Sequence, residues 1–488
     1  MTRPSPEDYF SDWKQRESLA QEMIPVVGKL YSERNVGVFI YGRPLHNRSV
    51  TNIMKSHRFV RQVGRNEMSE FESHPVLMAL AKLDLWHCQI DLGKLTVKYM
   101  ELQQDKGADA PSVDDYVKEE MTSLAGDKTP PSAKSQDIVL YGFGHIGRLI
   151  ARLLIERTST GGVMRLRAVV VRPGKEGDLI KRASLFTSDS VHGAFQGTVR
   201  IDEENNCLIC NGNVVHIIYA NNPDSIDYTD YGIDDALIID NTGKWRDEAG
   251  LSLHLQSKGA SKVMLTAPGK GDLKNIVYGI NHDQISPDDK IITAASCTTN
   301  AIAPVLKVLN DKFGIVGGHV ETVHAYTNDQ NLIDNYHSGN RRGRSAALNM
   351  VLNETGAAKA VVKAVPELAG KLTGNAVRVP VPNVSMAILA LNLETSTTKE
   401  EINEFLRLLA LHSPLQNQIS YTQDPDAVSS DFVGTREAAT VDSTATIVDD
   451  KRCVLYLWYD NEFGYCNQVV RMVYKMAGVN YRTYPVAG

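Results

Sequence analysis

The stretch Asp137-Ile-Val-Leu-Tyr-Gly142-Phe-Gly144-His-Ile-Gly147-Arg148, followed by the apolar run Leu149–Ile155, decides how this chain is read. A short apolar strand pattern runs into G-x-G-x-x-G and then into a helix pattern, the context in which that glycine spacing carries meaning. The glycines allow a tight turn and a close approach of backbone to a pyrophosphate, whose charge rests on the unpaired N–H groups of the helix start. Gly142, Phe143, Gly144, His145, Ile146 and Gly147 are therefore predicted to cradle a dinucleotide.

Working outward, the β-branched runs Ile138–Leu140, Ala168–Val171, Leu237–Ile239 and Val263–Leu265 alternate with helical or turn-rich segments. That alternation predicts a parallel sheet of βαβ units, a Rossmann-type α/β domain. The second strand of such a unit normally ends in a carboxylate that binds the ribose hydroxyls, but here Leu166–Arg172 ends in arginine. An arginine fork can hold a 2′-phosphate, so the expected cofactor is NAD or NADP; alternatively, Arg172 is a solvated loop residue.

Beyond residue 297, a helix at about 300–312, strands at His319–Val323 and Ser385–Leu391, and an amphipathic stretch Cys466–Met476 suggest an α+β catalytic domain. Residues 1 to about 126 show helical spacing (Phe71, Val76, Leu77, Leu80, Leu83, Leu85) with few strand signals. A Pro-, Ser- and Gly-rich linker, Ala125–Ser135, follows. The expected domains are a mostly helical N-terminal extension of unknown role (1–133), a dinucleotide-binding domain (134–296 with 461–488) and a catalytic domain (297–460).

At 488 residues, several domains are expected, and a net charge of −6 with 23% charged residues points to neither nucleic acid nor membrane. No apolar run is long enough to span a bilayer, and the six cysteines are sparse, so a cytoplasmic setting is expected. Cys207 and Cys210 have redox or zinc spacing, but the flanking turn residues favour a hairpin strand, and no metal site is expected. From Arg34 to Asn66 there are seven Arg or Lys and no acidic residue; this basic run suits an anionic ligand, an RNA or a solvated face beside acidic Asp114–Glu120.

Ala294-Ala-Ser-Cys297-Thr-Thr-Asn300 places cap-type residues around a cysteine. A thiol at a helix N-terminus is expected to have a lowered pKa. The segment ASCTTNAIAPVLKVLNDKFGI resembles the active-site segment of the phosphorylating glyceraldehyde-3-phosphate dehydrogenases. YGFGHIGR, SDSVHGAF, HAYTNDQ, ETGAAKAV, GKLTGNAVRVPVPNVS and WYDNEFGYCNQVVRMV match other segments of that family, in family order. The resemblance runs from about Gln136 to the C-terminus and leaves the first 130 or so residues uncovered.

The resemblance implies Cys297 as nucleophile and His324 as its base. It implies Thr327 and Arg378 for the substrate phosphate, and Ser296, Thr298, Thr355 and Gly356 around the attacking phosphate. Thr242, Gly243, Thr266, Asn461 and Tyr465 would contact the cofactor, and Arg341, Arg342 and Arg344 would lie on a loop between subunits of a homotetramer. The implied reaction converts D-glyceraldehyde 3-phosphate, phosphate and NAD(P) into 1,3-bisphosphoglycerate and NAD(P)H. Erythrose-4-phosphate dehydrogenase and a nucleotide-sensing or RNA-binding regulator on the same fold are the alternatives. The chain departs from the family pattern at His145, where arginine is usual, at Arg172, where aspartate is usual, and at Asn241.

Overall fold

The computed structural model describes residues 8–158, 162–353 and 356–486. The chain forms two compact units: residues 1–135 with 158–163 and 479–488, and residues 136–157 with 164–478.

In the larger unit, an eight-stranded sheet runs in the order Ile291–Thr293, Ala260–Leu265, Ala236–Asp240, Gln136–Tyr141, Met164–Val171, Asn213–Tyr219, Cys207–Cys210 and Val199–Asp202. Its first six strands are mutually parallel. Numbered along the chain, they give the order 3-2-1-4-5-6 of a doubly wound dinucleotide fold. The strands read as continuous apolar runs because helices cover both faces of such a sheet. Val139, Ala168, Val170, Ile238, Val263 and Leu265 form one buried cluster. Cys207–Cys210 is the middle strand of an antiparallel edge meander, and both its thiols are buried and unpaired.

The strand order reverses between Gln136–Tyr141 and Ala236–Asp240, and ligands bind at such a switch point. The second sheet of this unit is mixed and eight-stranded, with Ile315–Ala325 between Leu372–Val379 and Ser385–Leu393. Helix Phe463–Met476 packs on the glycine-loop helix His145–Glu156.

The smaller unit is built on helices Tyr9–Arg34, Val50–Gly64, Glu70–Ala81, Leu92–Lys106 and Val113–Glu120. Their starts follow from capping: Ser69 and Glu72 form a reciprocal capping box, and buried Asp91 accepts from Lys94 N as well as from Tyr41 N and Gly42 N. His57 Nε2 meets Ser73 Oγ at 2.7 Å in the core, with Glu70 beside the other ring nitrogen.

This unit also holds a four-stranded sheet, Arg43–Pro44, Gly37–Ile40, Cys88–Asp91 and Arg482–Tyr484, which the helical reading did not anticipate. Residues 479–488 thus belong with the N-terminal unit, whereas the sequence reading placed them with the dinucleotide sheet. Arg482 secures that strand by donating to Trp86 O and Asp127 O. The acidic run does not face the basic stretch: Asp114 pairs with Lys82 and Glu120 with Lys98. In the basic stretch, Arg43 stacks on Phe59 at 3.6 Å, while Arg34 and Arg61 donate to the carbonyls of Leu83 and Met68.

Candidate active site

Helix Cys297–Phe313 begins at the cysteine because Ser296, in extended conformation, accepts from Thr299 N at 3.0 Å and caps it. Ala295 turns the chain with a positive φ of 51°, and Asn300 Nδ2 donates to Ala294 O and Ser296 O, so the turn presenting the thiol is held from within. Tyr465 OH donates to Ala295 O, and Thr298 Oγ1 pairs with buried Tyr459 OH at 2.9 Å.

His324, near the end of strand Ile315–Ala325, brings Nε2 to 3.5 Å from Cys297 Sγ. Its Nδ1 lies 2.7 Å from Ala325 O, and the Arg378 guanidinium touches Nδ1 and donates to the same carbonyl at 2.9 Å. Arg378 is there by register, since it pairs directly with His324 across parallel strands. In the tautomer that carries its proton on Nδ1 and donates it to Ala325 O, the Nε2 lone pair faces the thiol and can take its proton.

Burial, then the positive Arg378, holds His324 down to about 3, so the imidazole is neutral at physiological pH. The thiol differs from expectation: burial pushes Cys297 up, and the opposing pull of Arg378 and of the helix start does not cancel it.

Thr327 does not turn to Arg378 but gives its hydroxyl to Asp329. Gly356 precedes helix Ala357–Ala364 as its N-cap, and Thr355 lies outside the described residues. Arg342 pairs with Asp329 at 2.7 Å and Arg344 with Asp334 at 2.8 Å, so the arginine segment is tied by acids the sequence reading did not single out. Ser385 was also missed: it accepts from Ala325 N and donates to Asn461, joining the histidine strand to the Asn461 segment. It ends the quoted segment GKLTGNAVRVPVPNVS, which was the one signal that could have found it.

At the switch point, Gly142 has a φ of 101°, and a Cβ on Gly147 would lie 2.4 Å from Gly142 O, so loop and helix meet without room for a side chain. A Cβ on Gly144 would meet nothing within 4 Å, which leaves the helix start open to a phosphate. Phe143 packs on Phe186. Across the switch, buried Asp240 accepts from Thr242 N and Oγ1, with His254 on its other oxygen, and so fixes the loop running on to Gly243. Thr266 Oγ1 bonds to Asn241 and Asp240 O. Arg172 is exposed at the end of its strand and forms no ion pair among the described residues.

A doubly wound sheet with an open glycine-loop helix start, joined to a mixed sheet that presents a thiol beside an imidazole, defines the class as a nicotinamide-dependent oxidoreductase. Comparison with known proteins narrows it. Residues 136–248 match the glyceraldehyde 3-phosphate dehydrogenase NAD binding domain and residues 296–461 the C-terminal domain of the same family. The chain belongs to the glyceraldehyde-3-phosphate dehydrogenase family.

It is 59% identical over 465 residues to a glyceraldehyde-3-phosphate dehydrogenase-like protein of Pseudomonas aeruginosa, covering 95% of this chain and 100% of that one. It is 40% identical to a glyceraldehyde-3-phosphate dehydrogenase of Zymomonas mobilis over 70% of this chain and 98% of the relative. The A, chloroplastic form of Zea mays is 39% identical over 71% of this chain and 83% of its own. The Pseudomonas match extends well into the residues before Gln136, so the N-terminal unit is not peculiar to this chain. The family carries NAD or NADP as its cofactor.

Proposed function

We propose that the chain oxidises D-glyceraldehyde 3-phosphate to 1,3-bisphosphoglycerate with NAD or NADP and inorganic phosphate, through a thioester on Cys297. The observation that carries the reading is the 3.5 Å approach of neutral His324 Nε2 to the Cys297 thiol, with Arg378 against both groups.

His324 takes the thiol proton as Cys297 Sγ attacks the aldehyde carbon and returns it to the carbonyl oxygen, which gives the thiohemiacetal and leaves the imidazole neutral again. Arg378 favours the resulting thiolate, since its charge opposes the burial that raises the thiol. The thiohemiacetal hydroxyl then gives its proton to His324 as the carbon loses a hydride, for which a nicotinamide held at the glycine loop would be the acceptor. The carbonyl carbon is now a thioester, which phosphate attacks, restoring Cys297. Ser296, Thr298, Thr355 and Gly356 would hold that phosphate, and Thr327 with Arg378 the substrate phosphate. The glycine loop from Gly142 to Gly147, including Phe143, His145 and Ile146, with Thr242, Gly243, Thr266, Asn461 and Tyr465, would hold the cofactor.

Arg172 supports NADP: exposed and with no ion pair among the described residues, its guanidinium is available to a 2′-phosphate. An assembly of four copies is supported by the segment carrying Arg341, Arg342 and Arg344, where Leu332, Ile333, Tyr336, Leu348 and Met350 are all exposed. Six free cysteines fit the reducing cytoplasm, and no helix among the described residues is long and apolar enough to cross a membrane.

Parallel steady-state assays with NAD and NADP test the reading. Phosphate-dependent turnover of glyceraldehyde 3-phosphate supports it, and turnover confined to erythrose 4-phosphate overturns it. Arg172→Asp should weaken NADP use about tenfold or more and spare NAD.

A further inference from the structure

Away from the thiol, four titratable side chains converge at the start of the glycine-loop helix. His145 is the first residue of that helix, Asp189 ends the short strand Ser188–Asp189, His192 lies on the turn from it to Gly193–Ala194, and Glu462 occupies the position before helix Phe463–Met476. Asp189 is fixed by its own turn, because Oδ1 accepts from Val191 N and His192 N at 3.0 and 2.9 Å. Its Oδ2 then stands 2.9 Å from His145 Nε2. That contact is not a hydrogen bond: buried Nε2 has no hydrogen-bond partner among the described residues. A nitrogen and a carboxylate oxygen this close are near enough to be neighbouring ligands of one ion.

Glu462 completes the arrangement, with one oxygen 3.1 Å from His145 Nδ1 and the other 3.0 Å from His192 Nε2. One carboxylate thus orients both imidazoles, as outer-shell carboxylates do behind metal-ligating histidines. One ligand atom each from His145, Asp189 and His192 lies within 4.8 Å of the others. Bonds of about 2.0–2.2 Å to a tetrahedral ion would set such atoms roughly 3.4 Å apart, within reach of small side-chain rotations. Both carboxylates stay charged: burial opposes this, but the backbone donors on Asp189 and the imidazoles on Glu462 outweigh it.

We propose that His145, Asp189 and His192 bind a divalent transition ion of the zinc type, with Glu462 orienting both imidazoles. The mixed imidazole and carboxylate set suits zinc or cobalt rather than magnesium or calcium, which take all-oxygen shells. An arginine at position 145 could not ligate, so the site depends on the very residue by which this glycine loop departs from the family pattern.

The test is a cobalt(II) titration of the chelator-treated, full-length Cys297→Ser protein, which removes the competing active-site thiol. Saturable uptake of one equivalent per chain is expected, with visible ligand-field bands, no sulfur-to-cobalt charge-transfer band, and displacement by zinc. Asp189→Asn and His192→Ala should each weaken uptake at least tenfold. X-ray absorption of the bound ion, which needs no further variant, should show only nitrogen and oxygen scatterers, including imidazole. Absence of stoichiometric uptake, a sulfur scatterer, or affinity unchanged in folded Asp189→Asn and His192→Ala proteins overturns the proposal.

Discussion

Arg378 acts on two groups at once, and in one direction: its charge lowers both the imidazole of His324 and the thiol of Cys297. Without it, both should titrate at higher pH. Arg378→Leu is expected to slow alkylation of Cys297 by iodoacetamide about tenfold at a fixed pH below the thiol midpoint, the equivalent of roughly one pKa unit. Rates measured across pH in wild type should keep rising above pH 8, because burial places the thiol above its ordinary range. A plateau by pH 7 would show a depressed thiol instead. The cysteine and its helix start were legible from the cap residues around it. The raised thiol was not, because burial is supplied by other segments: Tyr459 and Tyr465, both buried and both within electrostatic reach of the sulfur, arrive from over 150 residues downstream.

Among the elements, the glycine loop and its helix are the most sharply specified. Gly147→Ala would drive a Cβ to 2.4 Å from Gly142 O, so the loop must shift. NAD(P)H binding, followed by fluorescence, should weaken at least tenfold, and unchanged affinity would show that the loop can yield. At the nucleophile helix, Ser296→Ala removes the cap on Thr299 N and should cost about 1 kcal/mol in stability, read as a lower denaturation midpoint. In the N-terminal unit, Ser73→Ala strands the buried Nε2 of His57 and should cost about 1–3 kcal/mol. The helical character here was legible from apolar spacing, and the sheet was not. Gly37–Ile40 and Cys88–Asp91 are only four residues each and too short to show a period, and the strand that pairs with Cys88–Asp91 comes from the far end of the chain.

On the scale of the whole molecule, the order of motifs revealed the dinucleotide fold, because each βαβ turn writes its signature locally. The closing strand Arg482–Tyr484 is a long-range pairing with no local mark, which is why the sequence reading assigned it to the wrong neighbour. Deleting residues 479–488 should leave Cys88–Asp91 as a bare edge and make the N-terminal unit sensitive to trypsin, while NAD(P)H binding by the larger unit persists. Equal protease resistance in the two forms would show that the strand is dispensable.

The central claim, covalent catalysis by Cys297, is tested most directly by mixing enzyme, NAD(P) and glyceraldehyde 3-phosphate without inorganic phosphate. A burst approaching one NAD(P)H per active site is expected, together with a mass increase confined to the peptide carrying Cys297. Added phosphate should clear the adduct and start steady turnover. Turnover at full rate without phosphate, or a burst that survives in Cys297→Ser, would contradict it.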